Sequence, residues 1–587
     1  MNERWNLNIL YSGLNDPKYE EDVKKLEESL KELQELVGRA DTLSEKERIH
    51  AILELFEKET VLATELFNYV QLNQSVDTEN GEYMAQSARL MKLYAEYGET
   101  TSAASKILGS FENLDELTKD DPLLQEYAFL LQNTKEDLSH MLSDELEAMV
   151  SSMDMTGGRA WGQLQSFLTS TVKVDYEGGV KTLSEIRNMA YDPDMKVRKA
   201  AYEAELASYD KVADSIAFAL NNLKNQDTML SVKRGYPSHL DQVLRNSRMS
   251  RETLDALWAA CREYLPAFRR YLRKKGELLG DKNGITWYNL YAPVGHFERT
   301  YSQEDARDTL VRVFGELTPD MADMMKEAFD NEWIDFFPRA GKEGGAFCAG
   351  LGNHKQSRIL TNFDGTFSAV DTLAHELGHA FHNRQLENER PLNMDYPMPV
   401  AETASTFNEI HLGKYAIANA KSDEEKLSLL DSHLIENCMC IVDIYSRYLF
   451  EYSVMEQAQE KFLMAGDLKE LMLKAQEEAY GDGLDPEYRH PYMWVCKSHY
   501  YNSGLGFYNF PYAFGNLFAE GMYALYLKEG QSFIPKYKEM LRNTPKTTCE
   551  GAGAMVGVDL TKKEFWENSL KLMEEEIDEF CRLADAQ

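Results

Sequence analysis

Residues 375–379 read His-Glu-Leu-Gly-His, a pattern that spaces two histidines and a carboxylate for metal chemistry. Histidines four positions apart on a helix lie one turn apart on the same face and can bind one zinc ion. Glu376 lies beside that pair, where a base acting on a metal-activated water is needed. The spacing therefore favours hydrolysis at a zinc centre over a surface helix that merely carries a stripe of histidines.

A catalytic zinc takes three protein ligands and keeps one position open, so the motif needs a third ligand. Glu402 is the candidate, because a second helical pattern, VAETASTFNEIHLGKYA, carries it in the first turn, 23 residues after His379. Glu409 lies seven residues further along the same face. Either Glu409 or Asp371 is expected to accept a hydrogen bond from a ligand histidine, although Glu409 also fits an ordinary carboxylate near a helix start.

His382 is a weaker candidate for the third ligand. It lies on the same face as His379, but one straight helix cannot wrap three such histidines tetrahedrally around one ion. The longer HExxHxxGxxH pattern is excluded, since Asn383 and Leu386 stand where it needs glycine and histidine.

The histidines need a well-formed helix to hold them. Ser368 and Asp371 form a capping signature after an Asp-Gly turn, which predicts a helix from Ser368 with the histidines in its second and third turns. The face opposite the histidines is apolar and is expected to pack inward; it comprises Val370, Leu373, Leu377 and Phe381.

The remaining chain predicts a mainly α fold. Apolar residues recur at helical spacing almost throughout, and the one predicted sheet lies just before the metal motif, with strands at Ala346–Ala349 and Arg358–Phe363. We expect two parts, an N-terminal helical lobe over 1–190 and a region over 191–587 that carries the site.

Composition excludes several classes of partner. The formal charge of -35 disfavours nucleic acid and anionic membrane surfaces, and it indicates solvated helix faces more than attraction of cationic substrates. Seven scattered cysteines without a CxxC pair predict neither disulfides nor a thiolate zinc site, and neither a signal peptide nor a membrane-spanning run is predicted. These features predict a cytoplasmic protein, and they do not indicate an oligomeric state.

Three ordered segments, HELGHAFH, VAETASTFNE and SHYYNSGLGFYNFPYAFG, resemble the oligoendopeptidase F branch of the thimet oligopeptidase family of zinc peptidases. The resemblance covers most of the chain and is looser in the N-terminal part. It implies that His375, His379 and Glu402 bind one zinc ion and that Glu376 is the general base. It also implies a two-lobed helical body around a deep channel that admits short oligopeptides as substrates.

The resemblance further implies residues that contact the substrate. His499 and Tyr508 would stabilise the oxyanion, and Tyr501 or Tyr512 would contact the substrate or take over that role, because Phe510 stands where relatives often have tyrosine. The strand Ser357–Phe363, with Arg358 and Leu360, would line the cleft and pair with the substrate backbone.

Two other functions stay open at this point. A helical HExxH carboxypeptidase would need a cationic anchor for the substrate carboxylate, and the sequence offers no decisive arginine or lysine motif for one. A non-catalytic protein that binds zinc or peptides is disfavoured by the intact Glu376.

Overall fold

The N-terminal part is a set of amphipathic helices, as predicted. The computed structural model describes residues 2–295 and 299–586 of the chain. The first helix starts where Pro17 follows Asp16, whose carboxylate accepts a hydrogen bond from the backbone N–H of Lys18. Its leucines Leu26 and Leu30 are fully buried against the second helix and its neighbours. The helices are α1 (Pro17–Gly38), α2 (Glu45–Val76), α3 (Gly81–Glu96), α4 (Gly98–Leu108), α5 (Leu114–Thr118), α6 (Pro122–Glu126), α7 (Ala128–Ser139), α8 (Asp144–Asp154) and α9 (Gly158–Thr171).

A β-hairpin follows that the sequence analysis did not predict. Strands β1 (Lys173–Tyr176) and β2 (Gly179–Thr182) pair antiparallel. Their two-residue turn, Glu177-Gly178, has positive φ at both positions, as the tight turn of a twisted hairpin requires. The prediction of a single sheet was therefore wrong.

The middle of the chain is again helical. Two helices, α11 (Met195–Tyr209) and α12 (Ala213–Lys233), cover the stretch from about 194 to 232 that the sequence predicts as helix. The helices here are α10 (Leu183–Asn188), α11 (Met195–Tyr209), α12 (Ala213–Lys233), α13 (His239–Asn246), α14 (Arg251–Leu279), α15 (Gln303–Leu317) and α16 (Pro319–Asp330).

The predicted sheet is present, and its strand order corrects one expectation. Strands β3 (Ile334–Asp335), β4 (Phe347–Leu351) and β5 (Gln356–Leu360) lie in the order β3-β5-β4, with β5 parallel to β3 and antiparallel to β4. Ile359 and Leu360 of β5 have a protein strand on each side, whereas Gln356–Arg358 pair with β4 alone. The central position of β5 disfavours the prediction that this strand pairs with substrate, and β3 and β4 are the edge strands.

The metal-motif helix is α17 (Phe367–Leu386), which packs on the sheet and on the later helix α19 (Thr403–Ala418). Its capping residue is Thr366, two residues before the predicted Ser368. The Thr366 hydroxyl oxygen accepts the capping hydrogen bond from the backbone N–H of Ala369 at 3.2 Å. His375 and His379 therefore lie in the third and fourth turns. As predicted, Val370, Leu373, Leu377 and Phe381 are buried.

The C-terminal part consists of helices that enclose the largest hydrophobic core, with α27 packed along α14. They are α18 (Met398–Ala401), α19 (Thr403–Ala418), α20 (Asp423–Cys438), α21 (Ile444–Gln457), α22 (Ala465–Tyr480), α23 (Met493–Cys496), α24 (Phe510–Glu529), α25 (Ile534–Asn543), α26 (Cys549–Met555) and α27 (Lys563–Ala584).

The two predicted parts share packing. Val174 and Ile186 belong to one hydrophobic cluster with Phe450 and Trp494, so apolar contacts cross residue 190. The boundary at 190 stays a prediction. Across the described residues, no helix combines the length and the apolar character that crossing a membrane requires.

Candidate metal centre

Three side chains, two on α17 and one at the start of α19, converge at one point. On α17, the Nε2 atoms of His375 and His379 each lie 3.3 Å from Oε2 of Glu402. Glu402 is the residue between α18 and α19, and its side chain is 43% exposed. The sequence analysis therefore identified three residues that the fold brings together.

The spacing of these atoms fits a four-coordinate ion. One ligand atom from each residue lies within 4.8 Å of the others. A tetrahedral ion with bonds of about 2.0–2.1 Å holds its ligand atoms about 3.3 Å apart, which matches both separations from Glu402. Three ligands leave a fourth coordination position for a water or a substrate oxygen.

Close packing of α17 on α19 allows Glu402 to reach the histidines. Gly378, inside the motif, lies where a Cβ atom would come within 2.5 Å of the Ala404 carbonyl oxygen. The Asn408 amide donates a hydrogen bond to the Ala374 carbonyl at 3.0 Å, and the Ser405 hydroxyl donates to Glu402 Oε2 at 2.8 Å. The sequence analysis missed these three supports, although Ser405 lies one helical turn after Glu402.

The second nitrogen of His375 lies beside Glu409, one of its two predicted partners, at ion-pair distance. His375 Nδ1 lies 3.0 Å from Glu409 Oε1. Burial lowers the pKa of His375, but Glu402 and Glu409 outweigh that effect and raise the pKa to about 11. Burial raises the pKa of Glu402, and the hydrogen bonds with both histidines reverse this and hold that pKa well below its usual range. This anionic pocket attracts a cation.

Glu376 is positioned differently from the three converging residues. Its side chain is buried, and Oε2 has no hydrogen-bond partner within the part of the chain that the structure describes. Burial raises the pKa of this carboxyl, partly opposed by His375 and His379. A buried carboxylate with a free oxygen beside two histidines is suited to accept a proton.

His382 is not part of the centre. It is fully buried, its Nε2 lies 2.9 Å from the Thr544 hydroxyl and 3.1 Å from the Leu541 carbonyl, and its ring stacks on Tyr396. Its role is packing between α17 and the C-terminal helices, as the geometric argument against a third histidine ligand predicted.

A large cavity opens at the centre. It has a volume of about 1180 Å³, and its wall includes His375, Glu402 and Tyr512. Carboxylates dominate its charged lining, which comprises Asp364, Asp371, Glu402, Glu409, Glu436, Arg299, His375 and His433. The cavity is large enough for several residues of an extended peptide.

Tyr512, His499 and Tyr508 form a cluster of aromatic side chains beside this cavity. The Tyr512 hydroxyl lies 3.3 Å from His499 Nε2, and the Tyr508 ring stacks on the His499 ring with centroids 5.2 Å apart. Burial lowers the pKa of His499, helped by Arg447 and Lys497, which favours the neutral imidazole. The cluster supplies hydroxyl and imidazole donors close to the metal centre.

Three other predicted substrate contacts are not met. Tyr501 is buried, and its hydroxyl donates to the Trp494 carbonyl at 2.7 Å, so it does not reach a substrate. Arg358 is 2% exposed and binds the Asn6 carbonyl, and Leu360 is fully buried in the central strand β5. Their side chains are thus covered by the protein itself, and a sequence does not reveal which face of a strand or turn is covered.

Comparison with known proteins agrees with this geometry. The profile of Peptidase family M3 matches residues 188–572, more than half of the chain, and that of Oligopeptidase F matches residues 110–173. The chain is 24% identical to Oligopeptidase PepF of Bacillus subtilis, over 88% of this chain and 78% of that protein. It is 24% identical to an oligoendopeptidase F homolog of Lactococcus lactis, over 99% and 97%. The fold resembles that of oligoendopeptidase-F from Enterococcus faecium, with a TM-score of 0.70, 19% identity and coverage of 97% and 99%. Because this profile matches more than half of the chain, and the matched residues include the His-His-Glu centre, the chain belongs to Peptidase family M3.

Proposed function

We propose that this peptidase is a zinc-dependent endopeptidase that hydrolyses internal bonds of short oligopeptides. The observation that carries the proposal is the convergence of His375 and His379 on Glu402, each at 3.3 Å, with Glu376 next to them in the chain. Two relatives named as an oligopeptidase and an oligoendopeptidase F homolog, each matched over most of its length, support peptides as substrates.

Zinc is the ion that best fits a site of two imidazoles, one carboxylate and an open position. When bound, it supplies a Lewis acid that polarises the scissile carbonyl and lowers the pKa of a water molecule. Glu376 accepts the proton of the attacking water on its unpartnered oxygen and passes it to the leaving amine. Glu409, 3.0 Å from His375 Nδ1, would favour the tautomer that leaves Nε2 free to bind the metal.

Tyr512, His499 and Tyr508 stabilise the negative charge that develops on the carbonyl oxygen. Tyr512 is the first candidate, because it lines the same cavity as His375 and Glu402 and is 37% exposed. His499 lies within reach of the Tyr512 hydroxyl and orients it. Donors aimed at a developing oxyanion in a partly buried site contribute substantially to the rate.

Strand β4 is the strand that can accept a substrate backbone, since it is at the edge of the sheet. The Gly350 carbonyl is already occupied by the Asn68 amide at 3.1 Å. The stretch Phe347–Ala349, which is half-buried, is therefore the part of β4 available for pairing.

We also place the protein in the cytosol, because its seven cysteines are unpaired.

The test is cleavage of an internally quenched peptide of about ten residues, blocked at both ends, by the wild type and by Glu376→Gln. The wild type should cut it internally, lose activity on chelation and regain it with zinc. Glu376→Gln should keep one zinc per chain and lose roughly 100- to 10,000-fold in kcat. Full activity of this variant, or cleavage only when the C-terminus is free, would contradict the proposal.

A further inference from the structure

The segment between His499 and α24 has an unusual backbone where Tyr508 is attached. Phe507, the residue before Tyr508, has φ of 52°, in the left-handed region that is unfavourable for a residue with a bulky side chain. Its backbone N–H donates a hydrogen bond to Oε1 of Glu451 at 3.0 Å. Strain of this kind persists only where the surroundings enforce it, and here Glu451 supplies the fixing contact.

The other oxygen of Glu451 fixes the residue on the far side of Tyr508. Its Oε2 accepts a hydrogen bond from the Asn509 amide at 2.7 Å. Asn509 in turn caps α24, because its side-chain oxygen accepts from the Phe510 N–H, and its carbonyl accepts from the Tyr512 N–H at 3.0 Å. One carboxylate thus binds the Phe507 backbone before Tyr508 and, after it, the Asn509 side chain that caps the helix carrying Tyr512.

Glu451 is itself held by a buried ion pair. Its Oε1 also accepts from Lys224 Nζ at 2.7 Å, and the two side chains are 2% and 1% exposed. A buried ion pair of this kind is commonly no more stabilising than apolar residues of the same size. Stability alone therefore does not explain why a charged pair lies behind this segment, whereas fixing the Phe507 N–H and the Asn509 amide in one geometry does.

We propose that Glu451 is a positioning residue that sets the placement of Tyr508 and Tyr512 at the metal centre, acting through Phe507 and Asn509. The inference rests on the function proposed above, since it assumes that these tyrosines stabilise the oxyanion. Glu451 does not touch the substrate. It fixes the Phe507 N–H and the Asn509 side chain, the two groups that flank Tyr508 and precede α24.

The test is Glu451→Gln, assayed on the blocked peptide. The amide nitrogen of glutamine cannot accept from Asn509, so the start of α24 should shift. We expect kcat to fall about 10- to 100-fold, because a displacement of about 1 Å costs this much in a preorganised site. KM should change less than about threefold and zinc content should not change. Asn509→Ala, which breaks the same link without disturbing Lys224, should reproduce the loss.

A double-variant comparison separates positioning from general damage. In a Tyr508→Phe/Tyr512→Phe background, Glu451→Gln should cause almost no further loss of kcat, because the groups that it positions are absent. Asp431→Asn is the matched control: it also breaks a buried lysine–carboxylate pair, with Lys275 at 2.9 Å, but does so on α20. Its kcat per folded molecule should equal that of the wild type.

Three results would overturn the proposal: kcat of Glu451→Gln within twofold of the wild type, an undiminished loss in the double-Phe background, or an equal loss in Asp431→Asn. An inactive wild type would instead contradict the proposed function. The two failures are therefore distinguishable in one series of assays.

Discussion

At the scale of single residues, His375 illustrates how a metal ligand depends on the group behind it. An imidazole offers a lone pair to a metal from one nitrogen only when its proton is held on the other. Glu409 lies 3.0 Å from His375 Nδ1 and is the carboxylate placed to meet this need. Asp371, the other candidate from the sequence, has a buried oxygen without a partner in the described chain and leaves Nδ1 to Glu409.

Replacing Glu409 by glutamine should therefore weaken metal binding. The amide keeps the shape but loses the charge that supports His375, and such changes commonly cost about 10- to 100-fold in metal affinity. Competition with a chelator of known affinity measures the change. Glu436→Gln is the control, since it removes a carboxylate from the same cavity wall and leaves the contact between His375 and Glu409 intact. Equal weakening in both variants would assign the effect to cavity charge alone.

At the scale of elements, the centre exists because α17 and α19 cross at close range. Gly378 is the residue that permits this crossing: a Cβ atom there would lie 2.5 Å from both the Ala404 carbonyl oxygen and the Ser405 Cα. The backbone of α19 cannot yield as a flexible side chain would. The lack of a side chain at Gly378 of α17 thus allows α19 to approach closely enough for Glu402 to reach the histidines.

Gly378→Ala should separate the two helices and disturb the centre. We expect the free energy of unfolding to fall by about 1–3 kcal/mol, as overpacking usually costs, together with weaker metal binding. Urea unfolding and chelator competition measure the two effects. Gly315→Ala in α15 is the control, because the added Cβ meets only Ala322 at an ordinary 3.5 Å. A stable Gly378→Ala protein with unchanged metal affinity would show that the crossing is adjustable.

The sequence predicted elements better than it predicted their neighbours. The helices were predictable because apolar spacing is a local property, and the metal residues because HExxH fixes a face of one helix. The start of α17 was misplaced because Asp364 accepts hydrogen bonds from the N–H and hydroxyl of Thr366 and so orders the capping turn earlier. The central place of β5 and the burial of Tyr501 follow from tertiary packing, which the local sequence pattern does not reveal.

At the scale of the whole molecule, the N-terminal helices are bound to the region that carries the centre. Arg390, just after α17, pairs with Glu57 of α2 through two contacts of 2.5 and 2.6 Å. Asn68 of α2 donates to strand β4. Because α2 is linked to both the segment after the motif helix and the sheet, a change in the stability of α2 should change the free energy of unfolding of the whole protein. A buried carboxylate in α2 makes this testable.

That carboxylate is Glu59, which is 5% exposed and has a buried oxygen without a partner in the described chain. Burial raises its pKa to about 7, an effect that Lys58 opposes only in part. A carboxyl whose pKa is higher in the folded state than in the unfolded state keeps its proton on folding. Its stabilising contribution is therefore complete below the unfolded pKa near 4.5 and is lost as the pH rises toward 7.

Glu59→Gln should stabilise the protein at high pH, because the neutral amide avoids burying a charge. We expect the free energy of unfolding at pH 8 to rise by about 1–3 kcal/mol, with a gain that shrinks toward zero at pH 4.5. Urea unfolding across this range measures it. Glu54→Gln, on the exposed side of the same helix, should show no such gain. If the Glu59→Gln gain does not depend on pH, the native state keeps Glu59 ionised, and the stability of α2 is then set by packing rather than by this proton.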